Sequence, residues 1–316
     1  MGSIFTVSIF QSALELGCIY ALVALALFIS FTILNIADLT TDGCFTLGCA
    51  VGAMVTLAGH PFLALIAAMV SGTIAGFVTA FLQTRLGVES ILAGIIVNTG
   101  LYTINIAVMG FSSIANLFGC NTIFSITKDS IVNTIIGDWY KVALVAVILA
   151  IIALVLWWFL GTTLGMSIRA TGDNAEMVKS SSINPTFTIT VGLCLSNSLT
   201  GLSGALIAQY QKSADINIGT GMVTIALASL IIGQTLIGNK GSIIRRILGT
   251  ILGSILYRFI VAVALRLSVP AEALKLVSAI IVAVAIASPY VKNKLSLKKR
   301  EFLNYRGNAQ EVKDNA

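Results

Sequence analysis

From Val142 to Leu160 the chain runs through nineteen consecutive residues without a charged, amide or hydroxyl side chain. The run does not alternate as a strand of a transmembrane barrel would, and as a helix it matches a hydrocarbon core of about 30 Å. It is one of nine such apolar segments, at about 5–34, 44–58, 60–82, 90–111, 141–161, 187–209, 222–237, 247–266 and 272–290. Only 10% of residues are charged and 57% are apolar, against about 25% and 45–50% in soluble domains, so a water-soluble enzyme is excluded. The sequence predicts an all-α, polytopic transmembrane bundle of about nine spans, eight to ten, filling residues 1–291 and followed by a basic tail at 292–316.

The net charge of +6 reads as a nucleic-acid signal until the charges are placed. Seven of the nineteen Lys and Arg, from Lys292 to Lys313, crowd the last 25 residues, behind the final apolar run. Lys and Arg accumulate on the cytoplasmic side of spanning helices. A cytoplasmic C-terminus with nine crossings puts the N-terminus outside and thirteen of the nineteen basic residues inside. Membrane lipid, and no nucleic acid, is the expected surrounding. Trp139 with Tyr140, and Trp157 with Trp158, bracket the fifth span; nineteen residues rise about 28 Å, which places indoles at both interfaces.

Two segments, 44–58 and 222–237, are short and broken by Gly48 and Gly52 and by Gly233 and Gly238. Each follows a polar stretch, and these stretches share an Ala-Asp-aliphatic pattern: Ala37-Asp38-Leu39 and Ala214-Asp215-Ile216. Short, Gly-interrupted segments in corresponding positions point to pseudo-symmetric halves with a transport path at their interface.

Candidate chemistry is sparse. Walker A spacing is absent, so no nucleotide is expected on this chain through a P-loop. His60 is the single histidine, beside Pro61 in a turn, which leaves no raw material for a catalytic relay or a histidine metal site; no catalytic residue is assigned. Cys18, Cys44, Cys49, Cys120 and Cys194 form neither a C-x-x-C pair nor a disulfide framework. Glu15 in the first span and Arg258 in the eighth are ionisable groups at membrane depth, where the cost of burial makes each a functional candidate. For Arg258, snorkelling or structural pairing competes with substrate contact. Asn98 and Asn105, seven residues apart on one face of the fourth span with Thr99 and Thr103 nearby, either line a path or knit helices together, the commoner role.

The polar connector 161–185 contains Asp173 and Glu176 at capping-box spacing, predicting a short amphipathic helix through Met177 and Lys179 that ends before Pro185. Exposed to cytosol, it offers a partner an apolar knob rimmed by charge, or serves as a solvated connector.

Three separated motifs then carry a family resemblance over nearly the whole chain. The run Gly17-Cys18-Ile19-Tyr20-Ala21-Leu22 with Asn35-Ile36-Ala37-Asp38-Leu39-Thr40-Thr41-Asp42-Gly43, the connector Leu164-Gly165-Met166-Ser167-Ile168-Arg169-Ala170-Thr171-Gly172-Asp173-Asn174, and the later Gly249, Gly253 and Tyr257-Arg258 resemble permeases of the branched-chain amino-acid and ribose family of ABC importers. Asn35-Ile36-Ala37-Asp38-Leu39 stands where branched-chain permeases more often read Asn-Phe-Ala-His-Gly, and is more similar to a subgroup associated with tryptophan or tyrosine uptake.

The resemblance implies a bacterial plasma-membrane subunit working beside a second permease chain, two cytosolic ATPases that carry the ATP and Mg, and an extracytoplasmic solute-binding protein. It implies ATPase coupling through Arg169, Asp173, Asn174, Glu176, Met177 and Lys179. The path candidates are Glu15, Asn35, Asp38, Asn98 and Asn105, and the expected solute is an amino acid, aromatic for preference. Branched-chain amino acids, sugars or nucleosides are the alternative cargoes, and an ion-coupled secondary transporter using Glu15 or Asp38 is the alternative class.

Overall fold

The computed structural model describes residues 7–131, 139–238, 241–266 and six positions between 276 and 287. The expected span at 272–290 lies largely, and the basic tail wholly, outside the described residues. Helix α1 (Val7–Leu27) continues through a π-helical turn, Phe28–Ile33, and is followed by α2 (Thr41–Leu57), α3 (Pro61–Thr84) and α4 (Ser90–Val108). Then come β1 (Ile114–Asn116), α5 (Ile123–Ile131), α6 (Tyr140–Gly161), α7 (Thr163–Asp173), α8 (Ala175–Ser180), α9 (Pro185–Gln211), β2 (Ser213–Asp215), α10 (Met222–Ile237) and α11 (Ile243–Arg266).

Six described helices, including α1 with its π turn, are long and apolar enough to cross a membrane; α2 and α10 are apolar but shorter, at 17 and 16 residues. The described residues thus give six spans and two shorter apolar helices, and the expected count of nine crossings is not confirmed. Helices α2 and α10 coincide with the short second and seventh segments expected at 44–58 and 222–237, and both stay short because the polar stretches before them are non-helical.

The bundle packs inside out relative to a soluble protein. On α3 the buried positions are Pro61, Ala64, Ala68, Gly72, Ala75, Gly76, Thr79 and Ala80, while Phe62, Ile66, Val70, Ile74, Phe77 and Phe81 face outward. Lipid tails are as apolar as leucine, so burying large side chains gains little, whereas small ones let backbones approach and gain dispersion contacts. Helix α1 is the exception: from Ile19 to Ile29 every residue is buried, because α9, α10, α11 and α6 surround it. Helix α6 lies at the periphery, and its exposed Trp139, Trp157 and Trp158 mark its two ends.

Helix α9 is the hub. Where it meets α2 and α3, glycines bring backbone against backbone: a Cβ on Gly48 of α2 would strike the Gly201 carbonyl, one on Gly201 of α9 that of Ala68, and one on Gly72 of α3 that of Asn197. Its buried hydroxyls bond neighbouring helices, Ser196 Oγ donating to Ala26 O at 2.7 Å and Ser203 Oγ to Ile19 O at 2.8 Å. At one end, Gln209 accepts from Ile123 N (2.9 Å) and donates to Pro61 O (2.9 Å). Strand β2 next pairs antiparallel with β1, Ala214 opposite Ala115. At the opposite end, α7 and α8 form the connector.

Gly48→Leu is expected to separate α2 from α9 at a cost of about 1–3 kcal/mol or more, lowering the detergent-solubilised melting temperature by several degrees. Gly100→Ala meets nothing within 4 Å and should leave it unchanged, which a thermal melt of the two variants checks.

Candidate functional site: a polar cavity where two short helices begin

Between the π turn and α2 the chain unwinds level with the middle of α9. A non-helical segment in a dry interior must find internal partners for its polar groups. Asn35 turns the chain with φ of +56°, a conformation that asparagine tolerates better than most residues. Asp38, buried, then closes a local turn by accepting from Thr40 N at 2.9 Å, and takes a second bond from Asn197 Nδ2 at 2.7 Å. Thr41 Oγ1 donates to Asp38 O, and Thr40 Oγ1 meets Thr79 Oγ1 of α3 at 2.9 Å. These contacts tie the broken segment to both α3 and α9.

One residue into α2, Asp42 reaches the start of α10. Its Oδ2 accepts from Gly221 N at 3.0 Å and its Oδ1 from Val223 N at 2.9 Å. The first turn of a helix presents unpaired N–H groups and a partial positive charge, so a carboxylate serving the first turns of two helices is electrostatically favoured. Gly221, at φ +86°, permits the sharp entry into α10.

Beside this junction lies a cavity of about 420 Å³ lined by Asp42, Thr46, Asn98, Thr99, Asn105 and Asn217, together with Tyr102, Thr103 and Thr220. Gly43 makes room for its amides. The Asn98 side-chain Oδ1 lies too close to leave room for a Cβ at position 43, and Asn105 Nδ2 donates to Gly43 O at 3.1 Å. Asn105 is 1% exposed, and its Oδ1 has no hydrogen-bond partner.

The sequence candidates are thus distributed among several places. Asn98 and Asn105 line the cavity. Asn35 is exposed at the turn, and Asp38 sits in the buried network behind α2. Glu15 lines a separate polar cavity of about 430 Å³ with Lys128, Tyr140, Lys141 and Tyr210, accepting from Tyr210 Oη at 2.7 Å and Gln11 Nε2 at 3.1 Å. Arg258 stacks over the Tyr20 ring, its Cζ 3.5 Å from the centroid. Sequence reasoning did not single out Asp42, Gly43, Asn217 or Thr220. The paired Ala-Asp-aliphatic pattern ends just before them and was the available signal. Asp38 and Asp215 do share a local geometry, each accepting from the backbone N–H two residues on.

The connector forms two helices rather than one. Asp173 closes α7, so the cap of α8 falls to Asn174, not to Asp173 as the sequence spacing predicts. Asn174 has the extended backbone an N-cap needs, and its Oδ1 accepts from Glu176 N (3.1 Å) and Met177 N (3.0 Å). Arg169, Asp173, Asn174, Glu176, Met177 and Lys179 are all exposed, while Ile168, Thr171 and Val178 point into the protein. Lys179 pairs with Glu176 at 2.6 Å. Thr171 Oγ1 meets Thr188 Oγ1 at 2.8 Å, and Gly172 packs on Ile33 O, which seats α7 on α9 and on the π turn.

Long apolar helices around a polar cavity, with short helices starting at its edge, define a membrane transport protein. Residues 9–287 match the family described as branched-chain amino acid transport system / permease component, and the chain belongs to that family. It is accordingly a multi-pass, ABC-type permease subunit and not an enzyme. It is 33% identical to a tyrosine transport system permease protein of Clostridioides difficile (strain R20291), over 91% of this chain and 93% of that one. It is 30% identical to the ribose import permease of Escherichia coli (strain K12), over 71% and 67%. Among solved structures, PsaBC from Streptococcus pneumoniae in complex with Fab superposes with a TM-score of 0.51 at 14% identity, covering 90% of this chain and 94% of that one. That likeness concerns the fold.

Asp38→Ala removes a buried acceptor of two hydrogen bonds and should cost about 2–3 kcal/mol. Asn98→Ala, at the half-buried cavity wall, should leave the melting temperature within a degree or two of wild type while lowering transport; melts and uptake on the same preparations separate the two effects.

Proposed function

We propose that this chain is the membrane-spanning half of an ATP-driven amino-acid importer, with an aromatic amino acid such as tyrosine or tryptophan as cargo. The observation that carries the coupling role is the connector. Its six candidate coupling residues are all exposed, while Ile168 and Val178 are buried against the bundle. Met177, 68% exposed between Glu176 and Lys179, is the apolar knob that a cytosolic ATPase would grip. Two ATPases, binding ATP and Mg, would dock on the connectors of two permease chains, and a solute-binding protein on the β1–β2 end. On this reading the connector and the C-terminal tail would lie in the cytoplasm of a bacterial cell and the N-terminus outside.

The packing supplies a route for the stroke. Movement of α7 acts on Ile33 through Gly172, and the chain from Ile33 leads directly to Asp38, α2 and the cavity. Gln234 Nε2 donates to Thr32 Oγ1 at 3.1 Å, so the far end of α10 rests on the same π turn. Connector displacement would therefore move the starts of both short helices, opening the cavity to alternate sides as rigid elements shift.

The tyrosine-transport relative supports the cargo class, and the ribose import permease relative supports sugar as the competing one. Reversing charge at Asp173 and Glu176 together should abolish ATPase stimulation while leaving insertion and monodispersity intact; wild-type stimulation would remove the docking role. Thermal stabilisation of the cognate binding protein by tyrosine or tryptophan is expected, and a response to sugars or nucleosides alone would overturn the cargo assignment. Uptake by the purified chain driven by an ion gradient would favour secondary transport.

A further inference from the structure

The cavity wall carries one carboxylate, Asp42, among amides and hydroxyls that can both donate and accept. Thr46 Oγ1 donates to Asp42 O at 3.1 Å and Thr99 Oγ1 to Ile95 O at 2.8 Å, so both protons are committed to helix carbonyls and each oxygen keeps accepting capacity. Asn105 donates one of its two Nδ2 hydrogens to Gly43 O, while its buried Oδ1 has no partner. Each Asp42 carboxylate oxygen accepts one backbone N–H and retains a further lone pair. Neither Lys, Arg nor His lines the cavity.

An unsatisfied buried acceptor is destabilising, a penalty that a donor-bearing ligand relieves. A primary ammonium carries three donors and no acceptor, and its charge suits a carboxylate. A sugar hydroxyl could use the acceptors but would gain little from the charge, and a carboxylate end would meet Asp42 with no cation to receive it.

We infer that the cavity takes the ammonium end of its solute, with Asp42 and Asn105 as the selecting acceptors. This deepens, and rests on, the assignment of an amino-acid importer. The solute enters oriented, its carboxylate held away from the junction of α2 and α10. Selection at this point adds to whatever a binding protein imposes, and it acts on the charge common to amino acids rather than on the side chain.

The test uses the full-length permease in nanodiscs and four probes at millimolar concentration: L-tyrosine, tyramine, 3-(4-hydroxyphenyl)propionate and ribose. Tyrosine and tyramine should raise the melting temperature, the deaminated acid and ribose should not, and Asn105→Leu should raise the half-saturating tyramine concentration at least tenfold. Should Asn105→Leu fail to give a monodisperse protein, Asn105→Asp, which keeps the acceptor and adds charge, should match or strengthen the tyramine response; loss of response in a well-folded Asn105→Asp protein would count against the assignment. Stabilisation by tyrosine and the propionate but not by tyramine overturns the ammonium orientation while leaving the amino-acid reading intact. Stabilisation by ribose alone overturns that reading itself. No shift with any probe overturns the ammonium site.

Discussion

The arrangement depends on the requirement that a chain unwound inside a hydrocarbon-embedded bundle satisfy its own polar groups. Residues 34–40 meet it with side chains: Asp38 serves Thr40 N and Asn197 Nδ2, and Thr40 joins Thr79. These bonds fix where α2 begins. Asp42 consequently meets the start of α10, and the space beside that meeting becomes the polar cavity. Remove the Asp38 network and the position of each later feature is lost.

The second requirement is close backbone approach. In a membrane no hydrophobic drive holds helices together, so contact area and interhelical hydrogen bonds must do so. Gly48, Gly72 and Gly201 allow α2, α3 and α9 to touch at backbone level, and Ser196 and Ser203 spend their hydroxyls on α1 carbonyls. The rigid core formed this way contrasts with the connector, which is fastened to the bundle by a few contacts such as Thr171 to Thr188 and Gly172 to Ile33. A structure with one rigid hub and one peripheral, exposed helix pair suits the transmission of force from outside the membrane to an internal cavity.

Several features were legible in the chain because they depend on local sequence. Val142 to Leu160 is apolar all round and forms α6. Asn98 and Asn105, seven residues apart, fall on the same face of α4 and both reach the cavity. The connector helix was legible from its polar and apolar spacing, but its cap was shifted by one residue, since two residues with similar capping chemistry stand side by side and α7 had already claimed Asp173. Glu15 and Asp38 show the limit of such reading. Both are buried carboxylates, yet one lies against Tyr210 and the other against Asn197, partners 195 and 159 positions away.

The sequence by itself determined that this is a helical membrane protein, where most of its helices run, and to which family it belongs, because apolar run length and contiguous motifs are properties of short windows. Only the tertiary structure decided that α2 and α10 start together at Asp42, that Asn105 is left with an unused acceptor, and that Glu15 stands apart from the cavity. Those outcomes turn on which distant helices touch, and in a bundle whose outer surface and interior are both apolar, hydrophobicity does not encode that choice; small residues and single hydrogen bonds do.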